Sequence, residues 1–253
     1  MPPVDARTDA RTDLRTATTP ESHPDFRADG DSEDTLELRL PDAFLAMYAD
    51  DVNASGTVPA APGGDLLDGI GDWGPIITPA GSFHLLPVQI ERDLPLIGRW
   101  INDPTVATFW ELAGTECLTE AHLRSQLDGD GRSVPCLGVL EGTPMSYWEI
   151  YRADLDPLAR HYPARAHDTG LHLLLGGVAD RGRGLGGVLL RAVADLVLDN
   201  RPRCARVVAE PDLRNTPSVS AFLNAGFRFG AEVDLPAKRA ALMIRDRGLR
   251  DAL

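Results

Sequence analysis

The sequence predicts an α/β (α+β) chain in which a mixed sheet carries helices on both faces. Three observations predict it. Short apolar runs of strand length recur from residue 82 onward, segments with apolar residues at helical spacing lie between them, and glycine, proline and Asx signals separate the two kinds. With 253 residues and 43% hydrophobic content, the chain has material for one substantial core.

The front of the chain has a different character. Residues 1–35 hold the near-repeat "DARTDARTDLRTATT" and then "ADGDSED", too poor in large apolar residues to offset the entropy of ordering, so a disordered acidic tail is expected. Residues 36–80 read as a poorly defined extension, with "LELRLPDAFLAMY" as a strand and short helix and "GTVPAAPGG" as linker. The main domain is expected over residues 81–253.

Charge follows the same division. Residues 1–80 hold 16 acidic and 5 basic side chains, whereas residues 81–253 hold 22 and 20, so the net charge of -13 belongs mostly to the front. The nearly neutral body has no concentrated basic face, which argues against a nucleic-acid partner. No run approaches a membrane span and no secretory signal is visible at the N-terminus, so a cytoplasmic protein is expected. Cys117, Cys136 and Cys204 are irregularly spaced with no histidine at zinc-ligand intervals, so no metal is expected.

In order, "FHLLPVQ" reads as a strand, and "ERDLPLIGRWIND" as a helix with Leu94, Ile97 and Trp100 in phase and Pro95 placed in its first turn. "TEAHLRSQL" is a second helix with Thr119 as its cap. "VPCLGVL", the turn "EGTP" and "MSYWEIYRA" form an antiparallel hairpin. "LHLLLGGVADRGRGLGGVLLRAVADL" is a strand, a glycine turn and a helix running to about Asn200. "ARVVAEPD" is a strand, "NTPSVSAFLNAG" a helix capped by Thr216 with Pro217 first and Gly226 at its end, and "FRFGAEVDL" and "AALMIRDR" are two closing strands.

The turn "RGRGLGG" carries the first functional signal. It precedes an apolar helix whose leading N–H groups have no internal partner, and such a helix start suits phosphate oxygens. Gly182, Gly184, Gly186 and Gly187 would let a ligand approach the backbone around Leu185, while Arg181 and Arg183 add charge. An ordinary strand-to-helix turn is the competing explanation. The spacing is neither G-x-G-x-x-G nor a P-loop.

The spacing that matches is R-x-x-G-x-G, formed by Arg181, Gly184 and Gly186. It resembles the pyrophosphate loop of the GNAT acyltransferase superfamily. "PMSYWEIYRADLDPLARHY", "DTGLHLLLG", "VVAEPDLRN", "AGF" and "LPAKRAALM" together are similar to the siderophore hydroxamate acyltransferases, over residues 82 to 247. That resemblance implies a mostly antiparallel sheet splayed between the family's fourth and fifth strands, with acyl-CoA (acetyl-CoA or succinyl-CoA) as co-substrate. It implies cofactor contacts at Leu174, Gly176 and Val178, on the strand edge, and at Asn215. The implied reaction is acylation of an N-hydroxylated lysine, ornithine or cadaverine.

Acyl transfer from a thioester needs a neutral nitrogen nucleophile and a sink for its proton. His172 is a candidate sink, and Asp212 could orient it or receive the proton itself; the resemblance implicates both. A buried, satisfied histidine and a chain-turning Asp212 and Asn215 are the structural alternatives. Glu149 could hold the amine, Lys238, the only lysine, could meet a substrate carboxylate but is expected more at the surface, and Trp110 joins Glu149, His172 and Lys238 among the implied substrate contacts. Many GNAT enzymes carry a tyrosine acid four residues before the glycine matching Gly226. Here Phe222 stands there, so either the thiolate leaves unprotonated, His172 returns its proton, or Ser218 or Ser220 substitutes. Aminoglycoside 6′-N-acetyltransferases share the loop and a D-x-x-N element, and a non-catalytic acyl-CoA-binding protein is the reading from another class.

Overall fold

The structure is a computed structural model that describes Leu67 and residues 69–250. The expected acidic tail and most of the 36–80 extension, including its strand and helix, lie outside the described residues. Eight strands form one sheet: β1 (Ile76–Thr78), β2 (Gly81–Pro87), β3 (Ser133–Leu140), β4 (Thr143–Arg152), β5 (Thr169–Leu175), β6 (Arg206–Ala209), β7 (Arg228–Asp234) and β8 (Arg239–Asp246). Among the described residues five α-helices accompany it: α1 (Ile90–Ile101), α2 (Pro104–Trp110), α3 (Glu116–Leu127), α4 (Leu185–Asn200) and α5 (Thr216–Asn224). The sheet order is β1-β2-β3-β4-β5-β6-β8-β7. Every neighbouring pair is antiparallel except β5 with β6.

That exception shapes the site. β5 and β6 pair only at Thr169 with Val207 and Gly170 with Val208, after which β5 runs on to Leu175 while β6 ends at Ala209. The sheet is therefore open between them. Trp148, Ile150 and Leu171 on one face pack with Leu189, Val193 and Val197 of α4 and Phe222 of α5. Tyr147 and Leu174 on the other face pack with Ile97 and Ile101 of α1 and Leu123 of α3. Alternation along each strand sends neighbours to opposite layers.

Local chemistry explains the element ends. The β3–β4 hairpin turns on Glu141 and Gly142, both at positive φ (48° and 76°), the geometry a two-residue turn requires. α5 is capped by Asn215, whose side chain accepts from the Ser218 N–H at 3.2 Å, so the expected cap shifts from Thr216 to the residue before it.

Two further expectations change. α3 begins a turn earlier than expected, with Thr115 at its cap and Thr119 buried inside. Pro95 lies in the interior of α1 rather than its first turn; the carbonyl it cannot serve belongs to exposed Glu91. Residues ahead of the expected domain start also pack: Leu67 and Ile70 are buried in the core and β1 pairs with β2. The sequence reading missed β1 and α2.

Candidate active site

A cleft of about 410 Å³ opens where β5 and β6 part. Trp110 and His122 line it from one face of the sheet, Ser218 and Phe222 from the other, and Leu171, Leu173 and Glu210 from the parted strands. Glu149 and His172 are register partners on β4 and β5, so the pleat puts both side chains on one face. Their contact is His172 Nδ1 to Glu149 Oε2, 2.8 Å. The other ring nitrogen, Nε2, meets Glu210 Oε1 at 2.5 Å.

The imidazole is thus clamped between two buried carboxylates. Burial pulls the imidazolium down, but the charges and hydrogen bonds of Glu210 and Glu149 outweigh it and raise His172 to about 10. Burial pushes Glu210 up, yet His172, Lys238 and the Tyr151 hydroxyl bring it down to about 2. Glu149 is likewise held below the usual carboxylate range: burial raises it, and hydrogen bonds from His122 and His172 prevail. At neutral pH the group is an imidazolium between two carboxylates, with no free lone pair on the ring.

Neighbours hold this arrangement from all sides. His122 Nε2 lies 2.5 Å from Glu149 Oε1, which also accepts from Tyr147 Oη at 3.0 Å and Gln126 Nε2 at 2.9 Å. Tyr151 Oη donates to Glu210 Oε2 at 2.7 Å. Trp110 stands edge-on to Tyr147 and His172, with ring centroids 5.6 and 6.1 Å away.

Several expected roles change in this geometry. Asp212 does not orient His172: both ring nitrogens are taken by glutamates, and Asp212 instead receives Arg214 at 2.6 Å while lining the cleft. Lys238 is only partly exposed and lines the cleft, with Nζ 3.7 Å from Glu210 Oε1. Of the substitutes for the missing tyrosine, Ser218 lines the cleft and Ser220 is exposed outside it.

The glycine turn divides in the same way. Arg181 is not aimed at a ligand: its guanidinium donates to the carbonyls of Leu175 and Gly176 and to Asp103, each at 3.0 Å. It ties the turn to the capping residue of α2. Gly187 serves helix packing, since a Cβ there would lie 3.2 Å from Asn224, and Gly176 accommodates the Trp100 ring. Gly186 sits in ordinary contact distance of Ala221, again between α4 and α5.

Gly182 and Gly184 adopt φ of 72° and 80°, a conformation side chains resist, and leave the first turn of α4 without a side-chain cap. Leu185 opens that helix, exposed Arg183 lies in the turn, and exposed Val178 lies in a short 3-10 turn before it. Just past β5, the Gly176 N–H donates to the Met145 carbonyl at 2.9 Å. By alternation Leu174 also turns its backbone toward β4, leaving Leu171 and Leu173 to face the gap.

His122, Gln126 and Glu210 escaped the sequence reading. A signal existed for each: His122 and Gln126 are one helical turn apart, and Glu210 ends an apolar strand two residues before Asp212.

The cleft where the parallel pair parts lies beside a helix start with no side-chain cap, an arrangement suited to group transfer from a ligand that carries negative charge. The chain belongs to the GNAT acetyltransferase family, whose domain model matches residues 89–235, and is an acyltransferase. It is 34% identical over 178 residues to lysine N-acyltransferase MbtK of Mycobacterium sp. (strain MCS), a match covering 70% of this chain and 72% of that protein. It is 38% identical over 149 residues to N(6)-hydroxylysine O-acetyltransferase of Escherichia coli, covering 59% of this chain and 47% of that one.

Among solved structures, AAC(6')-Ib in complex with acetyl-CoA superposes with a TM-score of 0.59 at 25% identity, covering 67% of this chain and 96% of that one. An uncharacterized protein from Bacillus halodurans superposes with a TM-score of 0.66 at 30% identity, covering 70% and 92%. No helix among the described residues is long and apolar enough to cross a membrane.

Proposed function

We propose that this acyltransferase acylates the hydroxylamine nitrogen of an N-hydroxylated lysine, ornithine or cadaverine in hydroxamate siderophore assembly, in the cytoplasm. The observation that carries the reading is the state of His172. Both ring nitrogens are committed to carboxylates, and those carboxylates are weak bases, so the site is poorly equipped to strip a proton from an alkylammonium ion before attack. A hydroxylamine nitrogen is far less basic than an alkylamine and arrives neutral. Two relatives carry names with an N-hydroxylated acceptor, N(6)-hydroxylysine O-acetyltransferase and hydroxyornithine transacylase, whereas lysine N-acyltransferase names lysine itself.

After attack the adduct nitrogen is strongly acidic, and a weak base suffices. Glu210 takes that proton, the C–S bond breaks with its electron pair on sulfur, and the Glu210 carboxyl returns the proton to the thiolate. This shuttle removes the need for a tyrosine acid where Phe222 stands. His172 holds Glu210 in place, the open turn at Gly182, Gly184 and Leu185 receives the pyrophosphate of acetyl-CoA or succinyl-CoA, and Leu171 and Leu173 offer their backbone to the rest of that molecule. Asp212 and Lys238 contact the acceptor, and Trp110 walls it.

A thiol-release assay tests this with acetyl-, succinyl- and longer acyl-CoAs against the three hydroxylamines and their parent amines. The hydroxylamines are expected to turn over at neutral pH. A parent amine, with a pKa near about 10.4, should gain roughly tenfold per pH unit from a much lower start. Equal turnover of both at pH 7 would remove the requirement for N-hydroxylation. A second reading follows from the carboxylates that line the cleft, Glu111, Glu149, Glu210 and Asp212, which suit a polycation. Kanamycin acetylation in the same assay would favour it.

A further inference from the structure

Tyr151 and Gly170 form a unit whose shape serves Glu210. They are register partners on β4 and β5, and the Tyr151 ring lies across the position where a side chain at residue 170 would stand. A Cβ there would come within 2.0 Å of the ring's Cζ, so the ring can lie in this place only over a glycine. Lying there, it is packed at 4.9 Å from the His172 ring centroid and its hydroxyl reaches across β5 to Glu210.

Glu210 follows the end of β6, beyond the last residue that pairs with β5, so no β5–β6 backbone pairing holds it. Its carboxylate is positioned by side chains instead. One oxygen accepts from His172 and the other from Tyr151, which together fix the plane of the carboxylate at the mouth of the gap.

We propose that Tyr151 is a positioning residue for the transfer step, aiming the Glu210 carboxylate at the reacting nitrogen and sulfur, and that Gly170 is required because it gives the phenol passage. This rests on the reading that Glu210 carries the proton. The Tyr151 O–H bond stays intact throughout; the proton that moves is the one Glu210 takes from the adduct and returns to sulfur. The glycine in "DTGLHL" thereby acquires a reason that strand propensity alone disfavours.

Tyr151→Phe keeps the ring over Gly170 and removes only the donor. It is expected to lower kcat roughly tenfold, with both KM values unchanged and the unfolding midpoint only modestly lowered. The His172 imidazolium proton facing Glu210 gives a second readout by NMR. With one donor lost, Glu210 draws harder on that proton, and its low-field resonance should move further downfield. Gly170→Ala, which displaces the ring, should lose a similar factor in kcat, and adding Tyr151→Phe to it should cost little more.

Wild-type kcat in Tyr151→Phe with an inactive Glu210→Gln would overturn this inference and leave the shuttle standing. Full activity in Glu210→Gln would remove the shuttle, and the inference with it. A fall in kcat that only tracks a lowered unfolding midpoint, with the resonance unmoved, would reduce Tyr151 to packing.

Discussion

Two carboxylate clusters lie along β5, one at its start and one at its middle, and are built for different ends. At its start, Asp168 is fully buried and its two oxygens receive Arg206 Nε at 3.0 Å, the second Arg206 nitrogen, the Tyr162 hydroxyl at 3.0 Å and the Arg165 N–H at 2.9 Å. Further along, Glu149 and Glu210 face His172 across a cleft. Both clusters satisfy buried carboxylates. One uses a planar guanidinium that stays charged at any working pH and is sealed from solvent; the other uses the side chain able to change charge and leaves a third of it exposed. The difference separates a clamp from a working site.

The largest effect is expected from breaking the clamp. Asp168→Ala strands the Arg206 charge in the interior and should cost on the order of 3–5 kcal/mol in a denaturant titration. Breaking the open cluster should hurt differently: Glu210→Gln is expected to lower kcat by roughly 10²–10³-fold in the thiol-release assay, with a far smaller change in unfolding midpoint. If the two variants lost stability equally, the contrast between the clusters would be wrong.

A pH series sharpens the contrast further. His172 is raised from its ordinary 6.5 to about 10, so between those values the folded chain keeps a proton that the unfolded chain has lost. Its contribution is full below 6.5 and drains away as pH rises toward 10. Glu210, lowered from 4.5 to about 2, contributes fully above 4.5 and loses its share as pH falls toward 2. Unfolding midpoints of wild type should therefore decline from pH 6.5 to 10 more steeply than those of His172→Gln, while Asp168→Ala keeps the wild-type slope. The smallest effect belongs to Asp212→Asn. Its partner Arg214 is well exposed, so the midpoint should hold and kcat should change several-fold at most, well short of Glu210→Gln.

Much of the framework was legible because its signals are local. The hairpin turn at Glu141–Gly142, the end of α5 at Gly226 and the open start of α4 all follow from backbone demands that particular residues meet. Pro95 misled because proline inside a helix is tolerated when the orphaned carbonyl is exposed, a fact no local pattern reveals. Thr119 misled because a threonine can cap or be buried, and only packing chooses. The short β1 and α2 carry too few residues for a period to show.

At the site, His172 and Glu149 were visible as polar groups in apolar strands, but their partners were not. Arg181 looked like a phosphate ligand by charge and spacing, and the fold spends it on Leu175, Gly176 and Asp103. Asp212 looked like the partner of His172 by order along the chain. Glu210, two residues earlier, holds that place because β6 stops pairing with β5 before it and leaves it at the gap.

By itself the sequence determined the order of elements, the glycine turn that leaves a helix start open, and the presence of an imidazole in a core strand, because periodicity, turn chemistry and capping act over a few residues. Which carboxylate meets that imidazole, which arginine is free for a ligand, and whether the ring keeps a lone pair were decided only by the tertiary structure. Those are questions of distance between residues tens of positions apart, set by strand register and by where two strands stop pairing.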